Sequence, residues 1–522
     1  MVEITTLEVV TALVGAFIIL FGLVSMFIKE KIYLSEAFVS LAFGIIFGPI
    51  AAGLIVPQSW AHNMHEITEE YTRIVIIVQV MAAAVALPKH YVWKEWKSLL
   101  MFLIPILVYM WIVSGLFIWL LIPNLDLIEA LAISSCITPT DPILANSIVK
   151  GKFADEHVPP HVRNILSAES GANDGFALPL LFLTVYLKRY PAGEAIAKWF
   201  YWVWAYEVAL AVLIGGIVGF VARKLLKQSE RRKLIDKDSF LVFSIALALF
   251  LMGVIGIMDG DDFVSVFVAG IVFTWDDWFR RETEDAHFQE VIEALLNMTI
   301  FVYLGAIIPW SSFGNAAIDL SVWRLLVLSI LILLFRRIPI VILLKPFIPA
   351  TKNFRESLFC GHFGPIGVGA IYYAMVIEKQ LADNQRLKDV TFPVVSFVVI
   401  ASVVVHGVTI PLFHLGSQIT TRTLTRTSIQ NQVLRLPLVK IGQPIPLRRE
   451  DGELGSMSSE GVKVNGIENG DITVNVPLSE SLPEQSVSIE LPKHPRNQEN
   501  LSESSPDEQS ILNASSSTKL GQ

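Results

Sequence analysis

Apolar runs of bilayer-crossing length, about 20 residues each, recur from Leu7 to about position 413, separated by short polar or charged turns. The pattern predicts thirteen spans, at about 7–28, 37–56, 73–88, 98–122, 127–149, 163–187, 201–224, 239–257, 263–279, 289–309, 321–344, 356–379 and 391–413. The third is short, and the ninth runs into Trp275, Trp278 and charges. The fold class read from this pattern is an all-α polytopic membrane protein.

Two spans carry residues that break helices. Span 5 contains Thr138-Pro139-Thr140-Asp141-Pro142. Its two prolines remove two amide donors and push the residue before each out of helical geometry. The chain should unwind near Thr140, a geometry tolerated at membrane depth only where backbone lines a cavity or is buried in protein. A simple proline kink with Asp141 capping the next half-helix is the competing reading. Span 12 contains Cys360-Gly361-His362-Phe363-Gly364-Pro365-Ile366-Gly367-Val368-Gly369, again poor in helix formers. Gly-rich packing alone accounts for span 12 by itself. It accounts less well for the spacing: divided as 1–6, linker 7 and 8–13, the spans form two six-helix repeats of inverted orientation, with 5 and 12 in equivalent places. Paired, crossing, discontinuous helices at matching positions mark the binding site of a transporter.

Composition supports the membrane reading. Of 522 residues 53% are hydrophobic and 17% charged, against about 25% charged in soluble domains. The two cysteines, Cys136 and Cys360, give no disulfide framework. The first apolar run lacks a basic segment before it and reads as a span rather than a cleaved signal. Loop charge sets orientation. Lys89, Lys94, Lys97, Lys150, Lys152, Arg163 and the cluster from Arg223 to Lys237 follow odd spans, whereas Glu66, Glu69, Glu70, Asp259, Asp261 and Asp262 sit in loops of the other parity. Lys188, Arg189 and Lys198 run against this bias. The expected N-terminus is extracellular and the C-terminus cytoplasmic. Residues 1–415 form the transmembrane domain, 416–450 a basic juxtamembrane segment, and 451–522, rich in Ser, Glu, Asn and Pro, a disordered cytoplasmic tail.

Span 6 holds the densest chemistry: Glu169-Ser170-Gly171-Ala172-Asn173-Asp174-Gly175. A charge at the bilayer centre costs roughly 2.5–3.5 kcal/mol on insertion scales, so carboxylates here point to function. At 100° per residue, Ser170 and Asp174 share one face and Glu169 and Asn173 the next. Ser170 and Asp174 are assigned to an ion, Glu169 to a counter-charge, and Asn173 to holding the unwound ends of spans 5 and 12. Span 11 supplies a cation through Arg336-Arg337. On a continuous helix one arginine snorkels to the surface and the other faces the bundle; Arg337 is the favoured partner of Glu169 and Arg336 the alternative. His362 and Thr138 are candidate modulators, His362 being more simply read as a hydrogen-bonded structural histidine. The Asp259, Asp261 and Asp262 group reads as solvated helix caps, with cation attraction at a vestibule as the second reading.

With these residues the chain resembles the cation/proton antiporter superfamily, nearest to the fungal plasma-membrane sodium/proton antiporters. Thr140-Asp141-Pro142, Glu169…Asn173-Asp174 and Arg336-Arg337 carry the resemblance, which covers about residues 1–430. It implies a secondary active transporter rather than an enzyme, with no cofactor and no nucleic-acid partner. It implies a membrane-embedded homodimer, each subunit with a scaffold (spans 1–3 and 8–10) and a mobile core (spans 4–6 and 11–13). It also implies exchange of Na⁺, Li⁺ or K⁺ for H⁺, with the cation held by the Thr140 carbonyl, Asp141, Ser170 and Asp174. A potassium-preferring exchanger and a cation channel are the alternatives. Many relatives carry Gly-Leu-Arg-Gly in the second broken helix; here the stretch is Gly364-Pro365-Ile366-Gly367. The tail is also shorter than in some fungal members.

Overall fold

The computed structural model describes residues 6–60, 63–149, 152–283, 286, 288–427 and three short tail segments, 463–468, 471–475 and 488–489. Among the described residues thirteen helical passages follow one another, one for each predicted span. Seven are long and apolar enough to cross a membrane by length and composition, among them span 1 (Leu7–Ile32), span 7 (Ala192–Arg231) and span 8 (Lys237–Ile257). Leu20, Leu23 and Met26 of span 1 are largely exposed, as apolar side chains facing lipid would be. The other passages are shorter or more polar, and several sit inside the bundle, where neighbouring helices replace lipid.

Span 3 departs most from its predicted limits. The helix runs Met64–Ala86, nine residues earlier than hydropathy alone predicts. Asn63 caps it, its side-chain oxygen accepting the Glu66 amide at 3.4 Å. The added turns carry His65, Glu66, Glu69 and Glu70 and stand outside the apolar stretch, so a hydropathy window misses them.

Span 5 stops at Cys136 and resumes at Pro142, as Leu127–Cys136 and Pro142–Val149. Span 12 is likewise Phe354–His362 and Val368–Gln380. Between these halves runs span 6, the unbroken helix Pro160–Arg189, buried at every position from Ala168 to Gly175. Span 11 corrects the expectation of a continuous helix: Val322–Phe335 ends at the arginines and Ile338–Leu343 begins after them. Pro339 explains the break, since its missing amide cannot reach the Phe335 carbonyl one turn back.

Span 13 extends from Gln385 to Thr427, so the first part of the basic segment continues this helix. Residues 428–450 lie outside the described residues. Of the tail expected to be disordered, three short antiparallel strands are described, Lys463–Glu468, Asp471–Asn475 and Ser488–Ile489.

Spans 2 and 10 cross through glycines. A Cβ on Gly305 would lie 2.4 Å from the Leu41 carbonyl oxygen, and one on Gly44 2.1 Å from that of Val302. Small residues permit this backbone approach. Gly305→Leu is therefore expected to destabilise by about 1–3 kcal/mol, read as a lowered unfolding temperature of the purified protein in detergent; an unchanged value would contradict the close crossing.

Candidate functional site

The two broken helices meet at their gaps. The Asp141 amide donates to the Pro365 carbonyl at 2.8 Å. The Asp141 carboxylate then serves both resumed halves: Oδ1 accepts the Leu144 amide at 2.9 Å, and Oδ2 accepts the Val368 amide at 2.5 Å. One side chain thus caps two helices from different repeats. Such caps satisfy amides that a helix start leaves unpaired. Gly367 is what lets Asp141 in, because a Cβ there would lie 2.1 Å from Oδ2.

Asn173, one residue before Asp174 on span 6, grips the gap of span 5. Its Nδ2 donates to Thr140 Oγ1 at 2.7 Å, and its Oδ1 accepts the Thr140 amide at 3.3 Å. It was expected to hold the ends of both broken helices. Besides Asp141, a residue that does bond both gaps is Arg336. Its guanidinium donates to the Ile137 carbonyl in span 5 and, at 2.6 Å, to the Gly364 carbonyl in span 12. Carbonyls freed by unwinding thereby gain a charged donor.

Arg337 turns the other way. Its Nη1 and Nη2 donate to the two carboxylate oxygens of Glu169, the second at 2.6 Å, and its Nε donates to the Cys360 carbonyl at 2.8 Å. The group also stands 5.3 Å from the Phe102 ring centroid. Neither arginine snorkels; both are buried. The break in span 11 frees them from helical phase, so adjacent residues reach different partners. The signal was present in the sequence as Arg-Arg-Ile-Pro.

Asp174 differs from all of these. It is 1% exposed, and neither carboxylate oxygen has a hydrogen-bond partner among the described residues. Its backbone is fixed instead, with the Tyr373 hydroxyl donating to its carbonyl. Its carboxylate faces the start of the resumed span 12, where a Cβ on Gly369 would lie 3.0 Å from Oδ1. Gly367 and Gly369 therefore place Asp141 and Asp174 beside the same short stretch of backbone. Tyr373 and these two glycines carried no sequence signal beyond the richness in glycine.

The remaining expected residues are placed as follows. Ser170 is buried near Asp174 but its hydroxyl donates back to the Leu166 carbonyl at 2.9 Å. Thr138 likewise donates to Ser134 at 2.7 Å. His362 faces span 13, with Nε2 3.3 Å from Thr409 Oγ1, and its carbonyl lies 3.0 Å from His406 Nε2. Asp261 and Asp262, read as solvated, are buried. Asp262 pairs with Arg73 at 2.7 Å, and Asp261 caps span 9 through the Val264 amide at 3.0 Å. Asp261 Oδ1 also lies 3.3 Å from where a Cβ on Gly175 would stand.

The sequence profile of the family described as sodium/hydrogen exchanger, transmembrane, matches residues 15–415. The chain belongs to that family. Among curated exchangers it is 44% identical to a probable Na⁺/H⁺ antiporter of Schizosaccharomyces pombe over 93% of its own length and 68% of the relative's. It is 40% identical to a Na⁺/H⁺ antiporter of Saccharomyces cerevisiae, over 89% of this chain but only 50% of that one. The exchanger from Zygosaccharomyces rouxii named Na⁺/H⁺ antiporter 2 is 41% identical over 86% of this chain and 59% of the relative. The chain thus spans about half to two thirds of these relatives. The solved sodium proton antiporter MjNhaP1 of Methanocaldococcus jannaschii shares the fold, with a TM-score of 0.57 at 20% identity over 77% of this chain and all of that one.

In this exchanger fold the Glu169–Arg337 pair is buried on both sides, so removing one partner strands the other charge. Arg337→Ala or Glu169→Ala should each cost about 3–5 kcal/mol. The joint replacement Glu169→Leu with Arg337→Met should be far less harmful than the sum of the two. Thermal unfolding in detergent checks this; additive losses would show that the pair does not act as a unit.

Proposed function

We propose that this chain is a secondary active antiporter that exports Na⁺, with Li⁺ and K⁺ as further substrates, in exchange for H⁺. The observation that carries the reading is the buried Asp174 carboxylate, which has no partner among the described residues. An ionised carboxylate in an apolar interior is costly unless it is paired or neutralised. A proton and a dehydrated alkali cation both neutralise it, and only one of them fits at a time. Asp141, the Thr140 carbonyl and Ser170 complete the proposed oxygen shell. Asp141 keeps lone pairs beyond those its two amides use, and Ser170 joins by turning its hydroxyl oxygen to the ion. Glu169, Arg337, Arg336 and Asn173 hold the frame.

Coupling follows from charge alone. With Asp174 neutralised, the core moves without carrying an uncompensated charge through the barrier; empty, it does not. One pH unit is about 1.4 kcal/mol, so one-for-one exchange sustains about a tenfold cation gradient per unit. Among the described residues Asp174 is the carboxylate at the helix gaps with both oxygens unpartnered, which favours that electroneutral ratio. The family and its antiporter relatives support exchange over a channel. Loop charge supports an extracellular N-terminus and cytoplasmic C-terminus, and the resemblance to the fungal plasma-membrane antiporters supports the plasma membrane. There a role in salt tolerance and pH homeostasis follows. Spans 1–3 and 8–10 are the proposed scaffold, spans 4–6 and 11–13 the mobile core, and the working unit a homodimer, with His362 and Thr138 as modulators.

Asp174→Asn is expected to abolish sodium-driven proton flux in reconstituted vesicles while the protein remains folded and monodisperse. Proton-coupled sodium flux at the wild-type rate in that variant would overturn the assignment.

A further inference from the structure

Away from Asp174, two ion pairs join the first turns of span 3 to the last turn of span 12. His65 Nδ1 lies 3.0 Å from Glu378 Oε2. Lys379 Nζ lies 3.0 and 3.2 Å from the two carboxylate oxygens of Glu69. His65 and Glu69 are i,i+4 on one helix face, and Glu378 and Lys379 are neighbours on the other helix. Each span contributes one cation and one anion in crossed order. A slip of one turn along span 3 would set Glu378 against Glu69, a repulsive juxtaposition. The pairs therefore specify a single register between the two helices.

The half-helix that ends at this latch begins at the candidate site. Val368 donates to Asp141, Gly369 lies against Asp174, and Glu378 follows nine residues after Gly369 on the same helix, about 14 Å along its axis. Movement at one end is transmitted to the other by a continuous rod. Glu378 is 7% exposed and its Oε1 has no hydrogen-bond partner among the described residues, so His65 is the described group that compensates it.

We propose that His65–Glu378 and Glu69–Lys379 form the outer closure of the transport pathway, positioning residues that hold core to scaffold and must part before Asp174 can face outward. The proposal rests on the mobile-core exchange reading above, which puts span 3 in the scaffold, span 12 in the core and this end outside. His65 stands beyond the apolar stretch, and the Glu378 carboxylate raises its pKa above the ordinary histidine value, against partial burial and the Lys388 ammonium of span 13. Glu66 and Glu69 on its own helix and Lys379 on span 12 are the other charged groups nearby in the sequence of these turns. The imidazolium pair is therefore present at acidic external pH and is lost as that pH rises through the raised pKa.

The test uses the full-length protein in vesicles, with Glu69→Cys and Lys379→Cys together and a membrane-impermeant bis-methanethiosulfonate cross-linker; Cys136 and Cys360 are buried. The expected result is efficient cross-linking seen by mass, loss of sodium-driven proton flux to background, and recovery on reduction. Failure to cross-link, or cross-linked protein exchanging at the rate of the same variant untreated, overturns the closure. His65→Ala is expected to flatten the rise of flux with external pH; an unchanged profile overturns the part given to His65. Absence of flux from untreated wild-type protein would instead count against the exchange reading, while cross-linking yield still reports on the closure.

Discussion

A charge inside an apolar bundle must be compensated, and the centre of this protein is arranged around that constraint. Around the gaps of spans 5 and 12, Glu169 has Arg337, Arg336 has two backbone carbonyls, and Asp141 has two amides. Asp174 has none for its carboxylate among the described residues. The compensated charges are structural in the sense that their partners belong to the chain. The uncompensated one needs a partner from outside it. A proton or a cation meets that need, and competition between them is the simplest route to obligatory exchange.

The frame is built from broken regularity. Unwinding spans 5 and 12 creates loose backbone groups at membrane depth, and a few side chains take them up. Asp141 caps two resumed helices at once, Arg336 bonds carbonyls from both gaps, and Asn173 fixes Thr140 from the unbroken span 6. Span 11 also breaks, at its arginine pair, and the break lets neighbouring guanidinium groups point to unrelated partners. Gly367 and Gly369 complete the arrangement by removing side chains where the two aspartates approach. Asp174 is thus held by its helix and its carbonyl, with its carboxylate left unpartnered among the described residues.

Much of this was legible in the sequence. Thirteen apolar runs, two proline- or glycine-rich interruptions and a buried acidic motif are local signals, and local signals survive without coordinates. Helical phase puts Glu169 and Asp174 on different faces of one helix, and in the structure their side chains meet different surroundings. What failed was inference across helices. A continuous span 11 makes Arg336 a rival of Arg337 for Glu169, and Pro339 is the local signal against that continuity. Asn173 was given both gaps because nothing in one chain's pattern shows which neighbour reaches which carbonyl. Span 3 was cut short because its first turns are charged, and pairings such as Arg73 with Asp262 and Lys379 with Glu69 appear only once distant segments are brought together.

The central claim is that proton and cation share one carboxylate, and it is tested most directly by proton release on cation binding. Purified protein in weakly buffered detergent solution is titrated with Na⁺ while pH is followed, beside Asp174→Asn under the same conditions. The account predicts protons released in proportion to cation bound by the wild type, and neither release nor saturable binding in the variant. Saturable Na⁺ binding by the wild type with no proton release would contradict it.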